Sequence, residues 1–109
     1  MSSESLVPVA VLGDIPDPGV LGVELPNGER VCLIRRGDMV TALSDECTHQ
    51  AFPMSAGEVL TDGSIQCSWH GARFDCVTGA VCEGPAEESL PTYDVRVDGA
   101  AIFVGARRQ

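Results

Sequence analysis

The chain has 109 residues, 44% of them hydrophobic, with three Phe, one Trp and one Tyr, so we expect a single domain, residues 1–109, with a small aliphatic core. Asp and Glu number 16 against seven Arg and no Lys, which gives a formal net charge of −9. Because phosphate backbones and anionic lipids are bound through basic patches, this charge excludes nucleic acid and anionic membrane surfaces as partners.

Three features of the sequence predict a cytoplasmic location. The first five residues contain neither the basic segment nor the apolar segment of a signal peptide. No run of residues approaches the roughly 18 apolar residues of a membrane-spanning helix. The cysteine count is five, whereas a secreted disulfide scaffold pairs an even number. We therefore expect a reducing, cytoplasmic setting and no membrane span.

Short runs rich in Val, Leu and Ile alternate with Gly, Pro, Asn and Asp turns at a spacing of about ten residues, which predicts an all-β fold. Asn27-Gly28 and Asp98-Gly99 are strong hairpin signals. We expect the outer strands to form an antiparallel β-sandwich or barrel. In chain order these predicted strands are Leu6–Leu12, Val20–Leu25, Arg30–Arg35, Met39–Leu43, Thr92–Val97 and Ala101–Val104.

The middle of the chain, about residues 45–86, is rich in Gly and predicts a small metal-binding subdomain inserted into the outer sheet. A helical turn at Pro85–Leu90 is also possible. A two-residue turn at Thr78-Gly79 would place Cys76 opposite Val81, so we expect no Cys76–Cys82 disulfide. Cys32 lies in a strand pattern and is expected to be a small buried hydrophobe. The predicted inner strands are Glu58–Leu60, Ser64–Cys67, Arg73–Cys76 and Ala80–Cys82.

Two short Cys/His pairs carry the chemistry of the chain. One residue separates Cys47 from His49, two separate Cys67 from His70, and seventeen lie between the pairs. Two thiolates and two imidazoles can close a tetrahedral zinc site or hold the two irons of a [2Fe–2S] cluster. A structural zinc site usually has its cysteines together in one knuckle. Here each pair supplies one Cys and one His, which favours two metals side by side.

The residues around these pairs resemble the signature of the Rieske [2Fe–2S] family, C-x-H followed by C-x-x-H-G. The resemblance is strong from about Asp45 to Ala86, and it implies an all-β Rieske iron–sulfur domain that binds one [2Fe–2S] cluster. It also implies the ligands: the inner iron is bound by two cysteines and the redox-active outer iron by two histidines. These residues are Cys47 and Cys67, and His49 and His70.

Four positions differ from the pattern of the respiratory-chain Rieske proteins. Those proteins brace the cluster with a disulfide between the ligand loops, at positions that correspond here to Phe52 and Trp69. They also place hydrogen-bond donors near the cluster, where this chain has Ala72 and Phe74. Because each missing donor leaves the reduced cluster less stabilised, we expect a potential at the low end of about −150 to +300 mV.

What remains resembles the soluble Rieske ferredoxins of bacterial aromatic-ring-hydroxylating dioxygenase systems. The resemblance implies a one-electron carrier and not an enzyme, whose partners are an NAD(P)H-dependent flavoprotein reductase and a terminal Rieske oxygenase. An alternative in the same class is the small Rieske subunit of an assimilatory nitrite reductase. From other classes, a zinc-stabilised interaction module or a detached Rieske domain with a regulatory role stays open.

Overall fold

The computed structural model describes residues 6–26, 28–45, 54–66, 73–83 and 90–108. Within these ranges it is built of β-strands and two 3₁₀ turns, Leu12–Asp14 and Met54–Ala56, which confirms the all-β prediction. None of its described helical segments has the length and apolar character needed to cross a membrane. The strands are β1 (Val7–Val11), β2 (Gly19–Glu24), β3 (Arg30–Arg36), β4 (Met39–Ser44), β5 (Glu58–Val59), β6 (Ser64–Gln66), β7 (Arg73–Asp75), β8 (Val81–Glu83), β9 (Thr92–Asp98) and β10 (Ala101–Arg108).

The strands form two antiparallel sheets. The large sheet has the strand order β1-β10-β9-β4-β3-β2, and the small sheet has the order β5-β6-β7-β8. All strands of the small sheet come from the chain between β4 and β9, so it is an insertion into the large sheet, as the sequence predicted. The large sheet curls: Arg35 of β3 donates from Nη1 to the carbonyl oxygens of Leu12, at 3.0 Å, and Ile15, at 3.2 Å, beyond the end of β1.

The two predicted hairpins form where the sequence places them: Glu24 pairs with Arg30 across the first turn, and Asp98 pairs with Ala101 across the second. In the β2–β3 loop the Leu25 N–H donates to the Glu29 carbonyl at 2.8 Å, and Gly28 has a φ of 93°. This is a three-residue hairpin loop whose last residue is left-handed, a conformation that favours glycine. The β5–β6 loop closes in the same way at Gly63, with a φ of 90°. Local turn chemistry therefore sets the register of both hairpins.

Strand β3 is buried on both faces, and this joins the two sheets. Val31 and Leu33 point into the core of the curled large sheet, with Ile102 and Val104. Cys32 and Ile34 alternate with them and point into a second core between the sheets. The members of this second core are Cys32, Ile34, Leu43, Met54, Ile65, Phe74, Cys76 and Leu90. The prediction of a buried Cys32 is confirmed, and the small sheet is fixed to the large one by apolar packing.

The predicted turn at Thr78-Gly79 is wrong in its register. Phe74, and not Cys76, lies opposite Val81, and β7 ends at Asp75. The Asp75 carboxylate accepts hydrogen bonds from the Val77 and Thr78 N–H groups at 2.8 and 2.9 Å, which widens the turn to four residues. The Thr78 and Val77 N–H groups also hold the pKa of Asp75 below its ordinary value.

Two other predictions have different outcomes. Strand β10 runs four residues beyond the predicted end at Val104, because Arg107 and Arg108 resume pairing with β9 after a bulge. The possible helical turn at Pro85–Leu90 falls on residues 85–89, which lie outside the described ranges.

Candidate metal centre

The four predicted ligands lie outside the described residues. Cys47 and His49 fall in the segment 46–53, and Cys67 and His70 fall in the segment 67–72. The described residues form the scaffold from which these segments leave and to which they return. The ligand assignment therefore stays a prediction, and the scaffold supplies the geometry on which it can be judged.

The first ligand segment is closed at its base by main-chain hydrogen bonds. The Met54 N–H donates to the Asp45 carbonyl oxygen at 2.8 Å, directly across the eight residues 46–53. The Asp45 N–H in turn donates to the Arg30 carbonyl at 3.1 Å, at the start of β3. Both ends of the segment are thus tied to the strand that is buried on both faces.

The Asp45 side chain adds a second closure. Its carboxylate is 1% exposed and accepts the Ser55 N–H at 2.7 Å on Oδ1 and the Ser55 hydroxyl at 3.0 Å on Oδ2. The Nε of Arg30, whose side chain is largely exposed, lies 3.9 Å from Oδ2. A buried carboxylate is stable only when its oxygens are satisfied, and here hydrogen bonds and a peripheral cation do so.

Gly22 of β2 leaves the space that this pair occupies. A Cβ at Gly22 would lie 2.7 Å from the Ser55 hydroxyl oxygen and 3.0 Å from Oδ2 of Asp45. Sequence reasoning did not single out Gly22, Asp45 or Ser55. The available signal was the isolated glycine inside a strand, which often marks a close approach by another part of the chain.

The second ligand segment is the loop of the β6–β7 hairpin. Gln66, the residue before Cys67, pairs with Arg73, the first described residue after the loop. The six residues 67–72 therefore leave and re-enter the small sheet at adjacent positions. Antiparallel pairing fixes the separation of these two ends without help from the loop itself.

The bases of the two ligand segments touch each other. The Gly57 N–H donates to the Met54 carbonyl at 2.9 Å, and a Cβ at Gly57 would fall on the carbonyl oxygen of Gln66. Glu58, the next residue, pairs with Gln66. The return end of the first segment is therefore a direct neighbour of the starting end of the second.

A third segment, 84–89, starts at the same end of the small sheet. Glu83 lies opposite Arg73, next to the base of the second ligand segment. The segment ends at Leu90, whose N–H donates to the Gly79 carbonyl at 2.8 Å. Gly79 has a φ of 75°, and a Cβ there would fall on the Leu90 carbonyl oxygen, so this junction requires glycine.

The scaffold and the donor set fit a two-iron cluster. Two segments, each with one Cys and one His, have bases that lie next to each other, which suits two metals held side by side. Within the described ranges, no group of three or more His, Cys, Asp or Glu side chains could hold a metal ion.

The three remaining cysteines, Cys32, Cys76 and Cys82, are free thiols in the structure. Burial raises the pKa of Cys32 well above its ordinary value, and the nearby Asp45 charge adds to the effect. Burial also raises the pKa of Cys76 to about 11. Both are neutral thiols at neutral pH and serve as apolar core residues, whereas Cys82 is exposed.

Comparison with known proteins gives one family. The family model of the Rieske [2Fe-2S] domain matches residues 5–94. The ferredoxin component of the p-cumate 2,3-dioxygenase system of Pseudomonas putida is 33% identical over 99 residues, which cover 91% of this chain and 84% of that protein. The chain belongs to the Rieske [2Fe-2S] domain family, and membership implies a [2Fe–2S] cluster as its cofactor.

Solved structures of similar fold cover nearly the whole chain. The ferredoxin of carbazole 1,9a-dioxygenase from Nocardioides aromaticivorans IC177 has a TM-score of 0.86 and 33% identity, covering 92% of this chain and 96% of that one. A second match is to a complex of reduced oxygenase and oxidized ferredoxin in carbazole 1,9a-dioxygenase. It has a TM-score of 0.85 and 25% identity, with 95% of each chain covered.

Thiol labelling tests the assignment of the free cysteines. At about pH 8 a thiol with a pKa of about 11 is ionised to roughly one part in a thousand. We expect iodoacetamide to modify Cys82 quickly in the native holoprotein, and Cys32 and Cys76 only after denaturation, as read by peptide mass spectrometry. Cys82→Ser should abolish the fast reaction. Fast native labelling of Cys76 would contradict the described core.

Proposed function

We propose that the chain is the ferredoxin component of an aromatic-ring dioxygenase system. The observation that carries this proposal is the extent of the similarity. The chain matches two ferredoxin components over 84% and 96% of their own lengths, at 33% identity in each case. In this proposal residues 1–109 are one domain, in which about residues 45–86 form the cluster-binding subdomain.

The proposed ligands follow from the motif and the scaffold together. Cys47 and Cys67 bind the inner iron, and His49 and His70 bind the outer iron. When bound, the cluster supplies reversible one-electron transfer at a potential set by the two neutral histidines. The chain's own residues hold the two ligand segments at fixed, neighbouring bases. The hydrogen bonds at Asp45 and the Gln66–Arg73 pair are the contacts that do so.

The proposed partners are a flavoprotein reductase, which donates the electron, and a terminal oxygenase, which accepts it. The second partner is supported by the similar carbazole dioxygenase ferredoxin, which forms a complex with its oxygenase. Charge supports both contacts. Two ferric ions, two sulfides and two thiolates sum to zero, so the oxidised holoprotein keeps a charge near −9. Such a carrier is steered toward basic docking surfaces.

We propose that the protein works in the cytoplasm. We also propose that its cluster has a low midpoint potential for a Rieske protein. The free thiols of Cys32, Cys76 and Cys82 are typical of a reducing compartment. Phe74 is fully buried in the core between the sheets, and its ring offers no hydrogen-bond donor. The absence of a donor on the Phe74 ring supports the low potential that we propose.

Substitution of one proposed ligand tests the ligand set. In His70→Cys a charged thiolate replaces a neutral imidazole, which makes the added electron harder to accept. We expect the midpoint potential to fall toward the roughly −400 mV of all-cysteine ferredoxins, as measured by anaerobic redox titration. The control Cys82→Ser removes an exposed free thiol and should keep the wild-type potential. An unchanged potential in His70→Cys would mean that His70 is not a ligand.

The carrier role is tested by electron flow between the two partners. We expect the protein to relay electrons from NADH and a dioxygenase-system reductase to a terminal oxygenase. The second-order rate should fall at least about tenfold as ionic strength rises from about 0.01 to 0.5 M, because salt screens steering between charges. A rate that does not depend on salt would contradict the docking argument, and no relay at all would contradict the function.

A matched pair of charge variants locates the docking face. Glu58 is exposed and pairs with Gln66, beside the ligand segments. Asp98 is also exposed. Thr92 pairs with Leu43, near the start of the first ligand segment, and Asp98 lies six residues further along β9, about 20 Å of extended strand away. We expect Glu58→Gln to lower the low-salt rate more than Asp98→Asn. Equal effects would mean that the small-sheet end is not the docking face.

A further inference from the structure

We propose that Asp45, Ser55 and Gly22 form a clamp that positions the first ligand segment and so controls how firmly the chain retains its cluster. The clamp joins the two ends of the first ligand segment without a covalent bridge. The proposal rests on the proposed function in one respect, namely that Cys47 and His49 are ligands. Asp45 and Ser55 act through the segment between them and are positioning residues.

The clamp closes the segment directly beside a proposed ligand. Asp45 is two residues before Cys47, and Ser55 is two residues beyond the end of the segment 46–53. One residue, Asp45, receives three hydrogen bonds from the returning chain: the Met54 N–H at 2.8 Å, the Ser55 N–H at 2.7 Å and the Ser55 hydroxyl at 3.0 Å. Any freedom at this junction would pass directly to Cys47.

Burial makes these hydrogen bonds effective. Water cannot replace a lost partner at a carboxylate that is 1% exposed, so breaking one bond leaves a buried polar atom unsatisfied. The Asp45 N–H also donates a hydrogen bond to the Arg30 carbonyl at 3.1 Å, and this bond ties the junction to β3. The first ligand segment therefore has a rigid origin although no covalent bridge closes it.

Gly22 is an independent part of the clamp. It lies on β2, opposite Cys32 of β3, and belongs to neither end of the segment. An added Cβ would come within 2.7 Å of the Ser55 hydroxyl oxygen and 3.0 Å of the Asp45 carboxylate. Gly22→Ala therefore disturbs the pair from the side, with both hydrogen-bonding residues still present.

The chain contains a chemically matched pair that closes no ligand segment. Asp62 accepts the Ser64 N–H at 3.0 Å and the Ser64 hydroxyl at 2.6 Å, both on Oδ1. The two residues are two apart in sequence and close the β5–β6 loop. This loop is at the opposite end of β6 from Cys67. A serine-to-alanine change removes one hydroxyl–carboxylate hydrogen bond at either site. Asp62 is 55% exposed and also accepts from Arg73 Nη1 at 3.2 Å on Oδ2, so the control bond, unlike the one at Asp45, is open to water and closes a loop that carries no proposed ligand.

The experiment compares holoproteins purified anaerobically: wild type, Ser55→Ala, Ser55→Thr, Gly22→Ala and the control Ser64→Ala. Cluster loss is followed by the decay of visible absorbance in excess iron chelator, and the reduced proteins are examined by EPR. We expect Ser55→Ala and Gly22→Ala to lose the cluster about tenfold faster or more, because partners that orient metal ligands commonly affect metal retention by about 10–100-fold. Their EPR lines should broaden.

The controls make the outcome decisive. Ser64→Ala should keep the wild-type rate of cluster loss and the wild-type EPR spectrum. Ser55→Thr keeps the hydroxyl, so it should have a wild-type loss rate and EPR spectrum, unlike Ser55→Ala. Wild-type loss rates and spectra in Ser55→Ala and Gly22→Ala would overturn the clamp. Equal acceleration in Ser55→Ala and Ser64→Ala, with unchanged EPR spectra, would also overturn it, since this indicates loop stability alone. If the reduced wild-type protein had no iron–sulfur EPR signal, the proposed function itself would be contradicted.

Discussion

The carboxylate of Asp45 is held where almost no water reaches it, and the surrounding structure is arranged to satisfy it. Ser55 donates two hydrogen bonds, Arg30 places a guanidinium nearby, and Gly22 leaves the necessary space. An unsatisfied buried charge would destabilise the fold strongly, so this arrangement has little freedom to change. As a result, residues 45 and 54, the two ends of the first ligand segment, have a fixed separation.

The fixed separation of residues 45 and 54 matters for the whole molecule because Asp45 is bonded to β3, and β3 packs into both cores. Val31 and Leu33 pack into one core while Cys32 and Ile34 pack into the other, so β3 is shared by both sheets. The small sheet is fixed to it through Phe74 and the other members of the second core. Sites built on such packed elements are positioned more accurately than sites whose loops have only one another for support. The described residues at the bases of the two ligand segments take their relative placement from this common frame.

The sequence predicted the strands well because their signals are local, and it failed where a distant contact decides. Asn27-Gly28 and Asp98-Gly99 encode their own turns, so both hairpins formed as expected. The turn after Asp75 differed because a side chain capped two N–H groups there. Asp45 and Ser55 could not be paired from sequence, since nine residues separate them and only the fold brings them together. The ligands came from the motif and stay a prediction.

The central claim is that two neighbouring segments hold a low-potential [2Fe–2S] cluster through two cysteines and two histidines. An anaerobic redox titration of the purified wild-type protein, followed by EPR, tests it most directly. The account predicts a reddish-brown protein with a one-electron Rieske-type signal and a midpoint potential at the low end of about −150 to +300 mV. A colourless, iron-free protein with bound zinc would contradict the account. A potential near the upper end of that range would contradict the argument from Ala72 and Phe74.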